Sequence, residues 1–231
     1  MRSVRFLFKV LWSPGEAMFL VARSPCFAVP LLLLVSSSLV SSAVVLTNIP
    51  DLPLRFIEHS PHKVNISEQT KDHLREQIDS PAAWIFAIVL SGVRPVFLLL
   101  MVSGIYFLIF TIIGRQGSFK TFFSITAFSF VPTVFRQIVT VLSALLVPSS
   151  SIMPDELGSL SPAVFLDRDS VSPIAFAVMN MIDMVSIWTL SLLVIGFAFV
   201  IRKTVSRLTR AGVVIGVFLV YAVTRIIIRI V

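Results

Sequence analysis

Arg136, Asn180 and Asp183 stand in or beside runs of apolar residues where little else can carry charge or share a proton. An unpaired ion in such surroundings is costly, so a guanidinium and a carboxylate placed this way are expected to face each other or to reach separately for water. The first arrangement would make a polar site for a small solute or lipid headgroup, or an ion pair of purely structural role. Arg115 and Lys120 flank a tight turn in GRQGSFK, and Arg202, Lys203, Arg207 and Arg210 form a second basic block. Both clusters suit lipid phosphates. His59 and His62 in HSPH are spaced as metal ligands can be, but Pro61 separates them and no further ligand pattern joins them, so no metal and no cofactor is expected. Cys26 is the sole cysteine; it rules out an internal disulfide and reads as a small buried residue rather than an acylation site. With no phosphate loop, nucleophile elbow or HExxH pattern, an enzyme is not expected.

The elements that must position these residues are apolar and long. Hydrophobic residues make up 56% of the 231 and charged ones 13%, too few polar groups to cover a soluble domain of this size. The mean hydropathy of +0.96 agrees. The stretch at 114–147 shows the solution: a basic turn feeds an apolar run, broken only by Pro132 and Arg136, that is long enough to cross a bilayer. Five such crossings are expected, at about 26–46, 95–113, 122–146, 182–201 and 211–230. The first is longer than the apolar part of a signal peptide and begins late, so it reads as a crossing. Arg94 falls at the edge of the second, where its stem can snorkel to water. The third and fourth then place Asp183 about 10 Å above Arg136 along the bundle.

Ahead of these crossings, 1–25 is a basic, aromatic segment suited to the headgroup region. The connections 47–94 and 147–181 are polar. The first of them carries the sequon at Asn65, His73 and an expected short surface helix at about 67–79. Ser-Pro pairs begin at 13, 24, 60, 80, 161 and 172, mostly just before segments with helical character. Serine caps a first turn and proline is tolerated within it, so the class is all-α, an integral membrane bundle with short interfacial helices. Ten of the Lys and Arg residues lie in 1–25 and in the two short connections with only Glu16 among the acids, whereas the two long connections hold ten acids. The positive-inside rule places the N-terminus in the cytoplasm and the C-terminus on the far side.

SPGEAMFLVARSP before the first crossing, GRQGSFKTFFSITAFSFVPTVF at the third and IDMVSIWTLSLLVIGFA in the fourth give the chain its family likeness. In their order and placement it resembles the Yip family, the Ypt-interacting proteins, and in particular the bacterial members. The resemblance implies five helices, a cytoplasmic N-terminus and, for a bacterial member, the inner membrane. Eukaryotic members look like membrane-trafficking factors that engage Rab-type GTPases through a long cytoplasmic N-terminal region; only about 25 residues precede the first crossing here, so a GTPase partner is not carried over. The net charge of +7 sits in blocks beside apolar runs, the pattern of membrane anchoring rather than nucleic-acid binding. The expected function is that of a non-enzymatic interaction, scaffold or membrane-organising component that assembles with itself or others through helix packing. The alternative is a small-solute or lipid transporter subunit using the region of Arg136 and Asp183.

Overall fold

The computed structural model describes residues 2–52, 54, 55, 76, 78, 80–113, 117–148, 157–166, 171–201 and 206–230. His59, His62, Asn65, His73 and nearly all of the expected surface helix lie outside these residues. Among the described residues every regular element is helical: α1 (Arg2–Trp12), α2 (Pro14–Arg23), α3 (Ala28–Asn48), α4 (Pro81–Ile112), α5 (Phe119–Ser129), α6 (Thr133–Leu146), a 3-10 turn (Pro162–Phe165), α7 (Pro173–Met181), α8 (Met184–Ala198) and α9 (Arg207–Ile230). Four stretches are long and apolar enough to cross a membrane: α3, α4, α5 and α6 taken together across their break, and Arg207–Thr224 of α9. The fourth expected crossing, 182–201, corresponds to α8, which is shorter, and the fifth, 211–230, to α9. The chain is a multi-pass integral membrane protein.

Serine capping works at some Ser-Pro pairs and not at others. Ser80 and Ser172 accept from the amides of Ala83 and Ala175, each with the proline in the first turn. Ser13 makes no such bond, and Ser24 closes α2 instead of opening α3. Ser118, with no proline after it, caps α5 through the amide of Thr121.

The second crossing differs from its expected limits. Gly92, Arg94 and Pro95 interrupt the apolar pattern, yet α4 runs unbroken from Pro81 to Ile112. Pro95 has no N–H to give the carbonyl of Ser91 one turn earlier, and that loss would normally bend or end a helix. Here the hydroxyl of Ser38 on α3 supplies the missing donor at 2.8 Å. Gly92 lets the helices come close enough for this, since a Cβ there would lie 2.8 Å from Leu39 Cδ2. A neighbouring helix thus satisfies a group that hydrocarbon could not.

α5 is the centre of the packing. Residues 121–129 are buried without exception, so the helix shows protein on every side. α4 and α8 pack on it most extensively, and α1, α2 and α3 complete the surround. Its hydroxyls cannot reach water, and Ser124 and Thr126 turn back to the carbonyls of Lys120 and Phe122. The rings of Phe110, Phe122 and Phe197 meet at centroid distances of 5.3–6.1 Å, and Tyr106 lies tilted against Phe197 at 4.9 Å while its hydroxyl donates to the Val214 carbonyl at 3.2 Å.

α1 and α2 close one end of this core as a hairpin. Val10, Ala17, Met18 and Val21 enter it, whereas Val4, Phe8 and Trp12, one turn apart, remain outside. The Lys9 ammonium pairs with Glu16 across the corner. That hydrogen bond, followed by the Lys9 charge, holds the Glu16 carboxyl below its ordinary 4.5. A depressed folded value gives a contribution present above the ordinary value and lost as pH falls through the lowered one.

Two outcomes follow from this packing. A Cβ at Gly196 would lie 2.4 Å from Ile125 Cγ2 and 3.3 Å from Met18 Sδ, so Gly196→Ala is expected to lower stability by about 1–3 kcal/mol. Unfolding in detergent checks this, and Ile125→Ala in the same chain should recover part of the loss. Hydrogen exchange over 9–17, corrected for intrinsic rates, should lose protection as pH drops from about 6 to about 3, and Glu16→Gln should flatten that dependence.

Candidate functional site

Two of the crossings are broken, and the breaks adjoin. Between α5 and α6, Pro132 cannot donate, and Phe130–Pro132 form a turn in which the amide and hydroxyl of Thr133 both reach the Phe130 carbonyl. Between α7 and α8 the chain leaves the helix at Ile182, and Asp183 adopts an extended conformation as the N-cap of α8. Broken crossings expose helix termini inside a bundle, where backbone ends bind polar groups.

Asp183 does three things at this point. Its Oδ1 accepts from the Ser186 amide at 2.8 Å, its Oδ2 accepts from the Ser186 hydroxyl at 2.9 Å, and Oδ2 also accepts from Arg136 Nη2 at 2.5 Å. A carboxylate at a helix N-terminus faces the positive end of the dipole, so α8 and Arg136 stabilise the same charge. Its side chain is 9% exposed against 38% for Arg136, which leaves the guanidinium partly open. The expected height difference between the two is absorbed by the breaks, since Arg136 lies in the first turn of α6 and Asp183 opens α8 rather than continuing one helix from 182.

Asn180 does not join the pair. Its Oδ1 accepts from the hydroxyls of Ser159 at 3.2 Å and Ser161 at 3.1 Å, and these serines also bond to each other at 2.9 Å. The two clusters are neighbours through Gly158. It has φ +71, and a Cβ there would meet Thr140 Oγ1 at 2.0 Å and the Arg136 carbonyl at 3.4 Å. Only glycine seats this loop on α6. Ser159, Ser161 and Ser186 escaped the sequence reading as site residues. For Ser186 a signal existed, three positions after Asp183 where a capping partner stands.

Among the candidate phosphate-binding residues, Lys120 and Arg207 are exposed at the starts of α5 and α9. Arg210 donates from Nη1 to the Ala198 carbonyl at 3.0 Å, so that nitrogen closes the end of α8 instead of facing lipid. Arg115, Arg202 and Lys203 lie outside the described residues. Cys26 is half-buried against the main core.

With this arrangement in view, the comparison with known families is decisive: the Yip1 domain matches residues 8–227. The chain belongs to the Yip1 family. The match runs from the middle of α1 into the last turns of α9, so the hairpin, both broken crossings and the Arg136–Asp183 pair all fall inside the domain. No curated protein and no solved structure matches the chain.

Within this Yip1 domain the ion pair and the cap can be separated by substitution. Asp183→Asn keeps an oxygen for the Ser186 amide and removes only the charge, and Arg136→Gln removes the partner. Each is expected to cost roughly 1–3 kcal/mol, and the double change should fall short of the sum by at least about 0.5 kcal/mol. Asp183→Ala, which also loses the cap, should cost about 1 kcal/mol more than Asp183→Asn. Unfolding of the four proteins and the wild type in one detergent measures all three differences.

Proposed function

We propose that this Yip1-family protein acts without enzymatic chemistry, as an interaction scaffold or membrane-organising component whose partners bind through helix faces in the bilayer. The observation that carries the reading is the contrast between its centre and its outside. The centre is solid: α5 is enclosed by protein and a group of aromatic rings fills the space beside it. A solute path through the middle would have to displace those rings. The outside is broad and apolar, with Phe86, Val93, Phe97 and Leu108 of α4 and Leu219, Val220 and Val223 of α9 all more than half exposed. Such faces suit lipid, another helix or a second copy of the chain.

The charge distribution supports an N-terminus in the cytoplasm and a C-terminus on the far side, with the exposed Lys120 and Arg207 toward anionic headgroups. The location that goes with this reading is a bacterial inner membrane. The Arg136–Asp183 pair on this reading holds the two broken crossings together.

The experiment is proximity labelling in living cells from an enzyme fused to the N-terminus, with an Arg136→Gln, Asp183→Asn double mutant alongside. A reproducible set of membrane neighbours, biotinylated on their cytoplasmic faces and unchanged in the double mutant, is the expected result. Random neighbours, together with solute flux into vesicles that the double mutation abolishes, would replace this reading with a transporter.

A further inference from the structure

One arginine of a crossing helix has no counter-charge. Arg94 is the single charged residue of α4; it is exposed and forms no ion pair with any described residue.

The packing of α3 fixes its depth. α3 has 21 residues, about 31 Å of helix or one hydrocarbon thickness, and none of them is charged. Exposed Arg23 precedes it and exposed Asp51 follows it. Its middle residue, Ser38, donates to the carbonyl of Ser91 on α4, and Leu39 lies against Gly92. Residues 91 and 92 of α4 are therefore level with the middle of the bilayer. Arg94 stands at most about 4.5 Å further along the axis, which leaves about 10 Å to the nearer surface. An arginine stem does not span that distance, so the snorkelling expected of it at an edge beside Pro95 is not open to it.

The surroundings of Arg94 are apolar and face outward. Leu90, Leu98 and Met101, within two turns on the same side of α4, are exposed, as is Phe97 beside them. A guanidinium held there needs an anion at the same depth. The chain has none to offer among its described acids: Glu16 and Asp183 are already paired, and Asp51 and Glu76 lie outside α3 and α4. A lipid phosphate stays at headgroup level. A second copy docked face to face would set Arg94 against Arg94.

We propose that the α4 face around Arg94 receives a membrane-spanning helix of another protein, one that carries a glutamate or aspartate near the middle of its span. The carboxylate meets the guanidinium fork with two charge-assisted hydrogen bonds, and the apolar residues of the incoming helix cover Leu90, Phe97 and Met101. This gives the scaffold reading the chemistry of a partner and rests on that reading.

The test places the full chain, carrying Cys26→Ser and Phe97→Cys, in phosphatidylcholine vesicles with a synthetic single-span helix of leucine and alanine. That helix has a cysteine one turn from its centre and either glutamate or leucine at the centre, and disulfide formation is the readout. The glutamate helix is expected to crosslink about tenfold more than the leucine helix. Arg94→Leu should abolish the preference, and Arg94→Glu should transfer it to a helix with lysine at the centre. Arg94→Leu removes a side chain with no described ion pair, so unfolding in detergent should show no loss of stability. Equal crosslinking of the glutamate and leucine helices would overturn the proposal. So would a predominance of chain-to-chain disulfides, which would give the face to a second copy. In cells, proximity labelling from the N-terminus should lose neighbours with an acid inside a span when Arg94→Leu is introduced. A reproducible set that this change leaves intact would overturn the proposal and spare the scaffold reading. Random neighbours around the unsubstituted chain, with the glutamate preference present in vesicles, would overturn the scaffold reading and support the docking face.

Discussion

Complete enclosure of α5 is the constraint on which the other helices depend. A crossing helix normally shows one face to lipid, but residues 121–129 show none, so protein must be found for every direction around them. The neighbours are set by that need. α3 and α4 cover part of it, with Phe123 and Ala127 meeting Leu34 and Leu99. α8 covers a further part, admitted closely because Gly196 has no side chain to collide with Ile125. The remaining gap lies where α8 ends, and the hairpin of α1 and α2 fills it with Val10, Met18 and Val21. A segment that its composition marks as interfacial is thus also a structural lid. The Lys9–Glu16 pair at its corner, exposed on the Glu16 side, steers the turn more than it stabilises the bundle.

Enclosure has a second consequence, because a helix buried on all sides cannot easily continue straight into the other leaflet. α5 ends at Ser129, the chain turns through Phe130–Pro132, and α6 sets out again against α3. α8, packed antiparallel to α5, begins where α6 does. The two interruptions therefore fall side by side, which leaves a helix N-terminus and an arginine together inside the bundle. Asp183 answers both at once by capping one and pairing with the other. Removing either partner would leave the other charge in a place where water is scarce, the physical reason to regard the pair as one unit. The Yip1 domain thus carries its only described intramembrane ion pair at the point where its crossings are weakest.

Much of this was legible in the chain. The membrane and the helical class follow from composition and from long runs of apolar residues, because a single run can satisfy its own backbone in hydrocarbon only as a helix. Arg136 and Asp183 could be singled out because charge inside such runs is costly enough to demand a reason. The capping serines at 80 and 172 could be read for the same local cause.

What the sequence could not determine depends on neighbours. Pro95 looks like a break and is none, because Ser38 of another helix restores the lost bond; Pro132 looks similar and is a break, where the amide of Val131 takes the Phe128 carbonyl and Thr133 takes that of Phe130 in a turn. Asn180 and Asp183, three residues apart, go to different partners because the helix ends between them. Arg210 belongs by composition to the lipid surface and by packing partly to the end of α8. In each case the local residue types permit two outcomes of similar free energy, and the choice is made by the group that another helix brings within 3 Å or so of the unsatisfied atom.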